Sequence, residues 1–210
     1  MIEKGKNHLA KSLSNASFRE ITRQLRYKSQ WLNKKFYQVN TYYASSQICS
    51  HCGIKNERIK DLSIREWECV CGNMNDRDLN ASVNIMDKGF EMFLKEQYEK
   101  YKVNIIGVSN IEKNDISKYG VVISNNFNNP IEVIDFIEKP TNANSTFVSL
   151  GRYVLNPSIF NYIESEKDSL KELLLPDYII KEKTLAFDTK ALWLDVGTKE
   201  NFRKANSFDI

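Results

Sequence analysis

The sequence predicts an α/β protein built of two dissimilar modules, and three observations carry that expectation. Beyond residue 101, short strand-like apolar runs alternate with helical patterns, which is how a layered α/β domain reads. All four cysteines fall within 23 residues, as the pairs Cys49/Cys52 and Cys69/Cys71, a clustering that suggests a small zinc ribbon. Charge divides along the chain as well. Residues 1–90 hold 15 Lys+Arg against 9 Asp+Glu, a net +6, and residues 91–210 hold 15 against 18, a net −3. A basic, cysteine-bearing half and an acidic half without cysteine point to different partners.

Taken in order, the first element is a helix over about Ala16–Phe36. Ser14, Asn15 and Ser17 offer N-caps, and Phe18, Ile21, Leu25, Tyr27 and Trp31 recur near the helical period among Arg19, Arg23, Arg26, Lys28, Lys34 and Lys35. Tyr37–Tyr43 reads as a strand leading to the first cysteine pair, and the polar stretch between the pairs reads as loop, ending at Trp67. A second helix starts at Asn80, with Val83, Ile85, Met86, Phe90, Phe93, Leu94, Tyr98 and Tyr101 as its apolar positions. Only Gly89 interrupts it, and composition changes there, which places the module boundary inside a helix, between 1–90 and 91–210. Strands are expected over Val103–Val108, Tyr119–Ser124, Ile131–Glu138 and Phe147–Leu155. Helices are expected over Pro157–Ser165, Ser169–Lys183 and Thr198–Ser207.

Composition sets limits on function. Apolar content of 41% and charged content of 27% suit a soluble globular protein. No apolar run is long enough to cross a bilayer, and no charged n-region followed by an apolar h-region opens the chain, so the expected location is cytoplasmic, with no membrane partner. Thiols there stay reduced, which favours metal over disulfides.

In a ribbon, two tight turns each present two thiolates to one tetrahedral ion. Cys49-Ser-His-Cys52 has the usual spacing, whereas Cys69-Val-Cys71 is one residue short, which strains the second turn or forces a different geometry. His51 falls within the first turn as a bystander. Just beyond the cysteines, Asp76 and Asp78 open a helix, where carboxylates are favoured by the helix dipole in any case.

Residues 1–88 resemble the C-terminal part of TnpB-type, transposon-encoded RNA-guided nucleases. The resemblance is carried by Asn7–Trp31, by the YASSQICSHCG segment, by Trp67–Gly72 and by DRDLNASVNI from Asp76 to Ile85, in that order. It implies a partial RuvC-like (RNase H-like) fragment carrying a zinc ribbon over 49–72, with Cys49, Cys52, Cys69 and Cys71 as zinc ligands. It puts the last acid of the family's catalytic triad, a magnesium ligand, on Asp78 rather than Asp76. By the same resemblance Met1–His8 follow the family's second, glutamate-bearing strand, so Glu3 does not match that glutamate. Two-metal cleavage needs several converging carboxylates; with one acid of three, no nuclease activity is expected.

The remainder, from about residue 92 to 207, resembles the C-terminal half of sugar-phosphate nucleotidyltransferases, UTP–glucose-1-phosphate uridylyltransferases among them. YEKYKVNIIGVSNIEKNDISKYGVV, Phe136–Pro140, Leu150–Phe160 and Trp193–Asn206 carry it. The resemblance implies a partial Rossmann-like fragment with a mixed sheet. It assigns Gly120, Glu138, Lys139 and Gly151 to sugar-phosphate binding, with Lys139 also the catalytic cation at the phosphate, and Asp195 to magnesium. Taken singly, Glu138-Lys139 is an ordinary solvated strand end and Gly120 a turn glycine. The family's glycine-rich nucleotide loop has no counterpart here; the eight glycines are scattered.

The expectation is therefore a truncated fusion, a zinc-ribbon fragment of transposase type joined mid-helix to a nucleotidyltransferase half, catalytically inactive alone. Its alternatives are a nucleotidyltransferase making UDP-glucose from UTP and glucose 1-phosphate when completed by a partner chain, and a weak zinc-dependent DNA-binding module. The expected partners are nucleic acid for the basic half and sugar phosphate for the acidic half, with zinc as cofactor and magnesium only where either site is complete.

Overall fold

The computed structural model describes residues 18–163 and 175–188. Two compact units divide inside one helix, Met1–Gly89 and Phe90–Ile210.

In the first unit, helix α1 runs Phe18–Trp31 and buries none of its residues. Its apolar positions Phe18, Ile21 and Leu25 are half or more exposed. The expected strand over Tyr37–Tyr43 does not form. Asn40 captures the backbone instead: its side chain accepts from the Tyr42 amide at 2.8 Å and its carbonyl from the Tyr43 amide at 3.0 Å, closing a turn. A 3₁₀ turn at Glu57–Lys60 precedes a short hairpin of β1 (Glu66–Glu68) and β2 (Met74–Asp76), with Trp67 opposite Asn75. Beneath it Cys49, Ile59, Trp67 and Cys69 form a small core, too few apolar groups to hold a fold of this size on their own.

Helix α2 spans Arg77–Tyr101, starting three residues before the expected Asn80 because Asp76 caps it. The Asp76 carboxylate accepts from the amides of Asp78 (3.0 Å) and Leu79 (2.8 Å).

Among the described residues the second unit forms a six-stranded mixed sheet. Its strands are β3 (Asn104–Asn110), β4 (Gly120–Ile123), β5 (Ile131–Glu132), β6 (Asp135–Glu138), β7 (Phe147–Val154) and β8 (Thr184–Asp188), in the order β5-β8-β3-β7-β4-β6. Among the described pairs only β3–β8 is parallel. β3 is buried on both sides, its successive side chains facing opposite layers. Ile105 packs with Phe90, Leu94 and Tyr98 of α2. Ile106 and Val108 join Ile179 of α3 (Leu175–Lys181) on the other face, with Val122, Ile131 and Phe136. Gly107 lets α2 close in, since a β-carbon there would lie 2.6 Å from Phe90 Cζ.

Three expectations are corrected here. Ile131–Glu138 is two strands rather than one, because β5 pairs with β8 while β6 crosses to β4. Within Pro157–Ser165 the described residues form a 3₁₀ helix over Pro157–Tyr162, started by Asn156, whose side chain accepts from the Ser158 amide. Within Ser169–Lys183 the described helix is only α3, and the strand after it, β8, was unforeseen; its apolar run TLAFD is short and lies just after a helix. The helix expected over Thr198–Ser207 lies outside the described residues.

Candidate functional site

The four cysteines converge although they sit on two unlike turns. In the first, the Gly53 amide donates to the Cys49 carbonyl (2.8 Å) and the Cys49 amide to the Ile54 carbonyl (2.9 Å). In the second, the Gly72 amide donates to the Cys69 carbonyl (2.8 Å) and the Cys69 amide to the Asn73 carbonyl (2.9 Å). The second turn is the first with one residue removed and the closing bonds kept. Gly53 and Gly72 both take left-handed backbone, φ +77° and +82°, which a side chain would resist. The short spacing thus changes the turn without separating the sulfurs.

All four Sγ atoms lie within 4.8 Å of one another. Cys49–Cys71 are 3.9 Å apart and Cys52–Cys69 3.5 Å. A tetrahedral zinc with bonds of ~2.3 Å demands sulfur–sulfur edges of ~3.8 Å. The donor set therefore fits zinc, and the spacing is too wide for disulfides. Crowding divides the thiols. Burial pushes Cys49 up, but the amides of Cys52 and His51 and the neighbouring thiols outweigh it and bring it to about 7. At Cys69 the Cys71 amide pulls down, yet burial and the other three thiols raise it to about 12. One thiolate forms readily and the next resists its charge, a conflict that a divalent cation removes.

Helix α2 holds this cage with amides. Asn80 and Asn84, one turn apart on a buried face, each donate to the carbonyls of Ser45 and Ile48, at 3.2 and 2.7 Å from Asn80 and 2.7 Å twice from Asn84. Asn80 Oδ1 also accepts from the Ser50 amide at 2.8 Å. Asn75 Nδ2 reaches Cys49 Sγ at 3.8 Å, and Arg77, buried, donates to the Asp61 carbonyl at 2.8 Å. The sequence marks Asn80 only as a helix start and gives Asn75, Arg77 and Asn84 no role, yet the Asn80/Asn84 spacing already places both on one helix face.

Asp78 is differently placed. Its side chain is 82% exposed and pairs with Arg65 at 3.3 Å. Its neighbour Asp76 is committed to capping. Among the described residues the cysteines alone form a group of three or more metal-ligating side chains. The surroundings of Asp78 do not fit magnesium.

In the second unit Gly120 of β4 faces Glu138 of β6. The lack of a side chain at Gly120 is required by space: a β-carbon would lie 2.6 Å from Glu138 Oε2 and 2.9 Å from Phe136 Cε1. Lys139, exposed and next to Pro140, has φ +47°, a conformation non-glycine residues adopt at a cost of about 1–3 kcal/mol. Its amide donates to the Tyr119 carbonyl at 3.0 Å, so the strained backbone extends the β4–β6 ladder by one step.

On β7 the register slips: Ser149 faces Val108 while Tyr153 faces Ile106, so four residue steps oppose two. Gly151, φ +68°, forms this bulge. In a regular strand positions four apart are about 13 Å apart. Here Ser149 Oγ and the Tyr153 hydroxyl are 2.6 Å apart, and Ser149 Oγ also accepts from the Gly151 amide at 3.1 Å. Burial raises the Tyr153 phenol, the Ser149 hydrogen bond opposes this, and the nearby Glu138 charge adds to it. Gly120, Glu138 and Gly151 are thus placed on the neighbouring strands β4, β6 and β7, with Lys139 just past the end of β6; Asp195 lies outside the described residues.

Fold and sites together define a two-part chain, a module with four convergent cysteines that could hold a metal and an α/β unit around a mixed sheet. The nucleotidyl transferase family model matches residues 79–210, and the chain belongs to that family. A second model, the TNB domain of Cas12f1-like proteins, matches residues 18–85, so the two matches meet within the first turns of α2. A Streptomyces pristinaespiralis protein described as an RNA-guided DNA endonuclease is 35% identical over 89 residues, 42% of this chain and 21% of that protein. A UTP–glucose-1-phosphate uridylyltransferase of Pseudomonas aeruginosa is 30% identical over 134 residues, 60% of this chain and 48% of the enzyme. That of Staphylococcus epidermidis is 35% identical over 119 residues, covering 53% and 41%. The chain spans less than half the length of each of these relatives.

Proposed function

We propose that the chain joins a zinc-stapled, nucleic-acid-binding module to the sugar-phosphate-binding half of a nucleotidyltransferase, and that these 210 residues alone transfer no nucleotide and cut no DNA. The observation that carries the second half is the Gly120–Glu138 pair followed by strained Lys139. A carboxylate beside a side-chain-free strand position can accept hydrogen bonds from sugar hydroxyls, and a lysine at its edge can neutralise a phosphate. Asp195 would hold magnesium, whose chemistry is to offset charge on the transferring phosphates. Glucose 1-phosphate should bind by calorimetry, Glu138→Gln should weaken it by about tenfold or more, and UTP with glucose 1-phosphate should give no pyrophosphate. Turnover by the purified chain refutes the inactivity. Failure of any sugar phosphate to bind refutes the site.

The first half draws support from the cysteine geometry and from α1, which presents Arg19, Arg26 and Lys28 on a helix with no buried residue. Binding through phosphates weakens steeply with salt. Duplex or single-stranded DNA affinity that ignores ionic strength, or survives chelation of zinc unchanged, overturns this assignment. Asp78 is assigned no catalytic part, since its partner is Arg65 and no second acid joins it among the described residues.

A further inference from the structure

We infer that His51 is a reserve ligand of the thiolate cage, able to take the position of Cys71 when that thiol is lost, so that the site keeps its metal as a three-cysteine, one-histidine centre. The inference rests on the zinc assignment above. His51 Nδ1 lies 3.8 Å from Cys71 Sγ. That equals the edge of a zinc–thiolate tetrahedron, ~3.8 Å, so the imidazole stands one ligand spacing beyond the outer corner of the cage.

Exposure selects which corner it can serve. Cys49 and Cys69 are buried, packed with Ile59 and Trp67, and a ligand replacing either would have to enter that core. Cys52 and Cys71 are exposed, and so is His51. The ring can therefore swing inward by rotating its own side chain, leaving the core untouched. Cys71 is also the ligand on the shortened turn, while His51 belongs to the turn of regular spacing, so the substitute comes from the better-framed side.

Chemistry permits the exchange. Zinc accepts three thiolates and an imidazole as a structural set just as it accepts four thiolates. Replacing a thiolate by neutral imidazole also removes one negative charge from a crowded cluster. With all four thiolates present, the tautomer carrying its proton on Nδ1 donates to Cys71 Sγ, which fixes the ring and softens the charge on that sulfur.

Cobalt(II) titration of the full chain tests this, read by the d–d bands of tetrahedral cobalt and the thiolate-to-cobalt charge-transfer band. Wild type should show both, and their absence would remove the metal site and the inference with it. Cys71→Ser should keep tetrahedral bands with weaker charge transfer and bind within about tenfold of wild type. His51→Ala/Cys71→Ser should bind about 100-fold more weakly than Cys71→Ser, and Cys52→Ser should match that double variant. Equal affinity of Cys71→Ser and the double variant overturns the inference while leaving the zinc assignment intact. His51→Ala alone keeps every thiol and guards against misfolding: about tenfold weaker binding supports the Nδ1 contact, and unchanged binding overturns it.

Discussion

Substituting Gly120 by alanine should destabilise the second unit through one identifiable collision. The new β-carbon would sit 2.6 Å from Glu138 Oε2 and 2.9 Å from Phe136 Cε1, and closer still to Cζ. The carboxylate can turn away, because Glu138 is only half-buried at a strand end. The ring cannot: Phe136 is 1% exposed and packed among Ile106, Val122, Ile131 and Val133. Either the ring presses into that core or β4 parts from β6. Overpacking of this kind costs about 1–3 kcal/mol, and a ring with nowhere to go puts the cost near 3. For a unit of this size that is a fall of roughly 10 °C in melting temperature. Urea unfolding of the full chain, followed by circular dichroism, gives the number. Phe136→Leu in the Gly120→Ala background should recover at least half of it by making room. A Gly120→Ala midpoint equivalent to less than about 0.5 kcal/mol of loss, or no relief from Phe136→Leu, refutes the steric argument.

Three further outcomes follow from the first unit. Elemental analysis should find one zinc per chain, lost in Cys49→Ser, and chelation should lower the unfolding temperature. Zinc uptake at neutral pH should release protons, because Cys52 is raised and Cys69 sits near 12 without metal; those thiols bind protons that the metal must displace, so affinity rises with pH, measurable by calorimetry in buffers of different ionisation enthalpy. Asn84→Ala should cost about 1 kcal/mol, since Asn80 still donates to both carbonyls, whereas losing both asparagines orphans them and should cost more than the two single losses combined, read as faster zinc release and a lower unfolding midpoint.

Much of the fold was legible where local signals and burial agree. β3, β4 and β7 lie within a residue or two of their expected bounds, and β3 and β4, buried on both faces, read as nearly continuous apolar runs. Legibility failed where a partner decided the outcome. Tyr37–Tyr43 has strand residues, yet Asn40 supplies a local turn that wins over an extended backbone. Ile131–Glu138 is one run by composition and two strands by pairing, which no local pattern encodes. At the sites, the cysteines were visible from spacing alone, but the convergence of the short turn was not. It depends on two glycines with positive φ and on hydrogen bonds that keep their pattern as the loop shrinks. Ser149 and Tyr153 escaped for a similar reason, since only the slip at Gly151 brings residues four apart to 2.6 Å.

Helix α2 shows why composition changes near Gly89 although the secondary structure does not. In its first turns the buried positions are Arg77, Asn80 and Asn84; further on they are Leu94 and Gln97, with Phe90, Phe93 and Tyr98 packed beside Leu94. The difference lies in what each stretch covers. An irregular cysteine-bearing loop leaves carbonyls without strand partners, and burying them demands donors from the helix, which the arginine and asparagines supply. A sheet has already paired its carbonyls along the ladder and offers only side chains such as Ile105 and Phe187, so it demands Phe and Leu. One helical period thus serves two chemistries in succession, and the arrival of Phe90, Phe93 and Leu94 among its packed positions marks where the second set of demands begins. Leucine at position 84 would test this directly. It suits the face for a sheet and fails for a loop, so Asn84→Leu should loosen the cage as Asn84→Ala does, despite adding apolar surface.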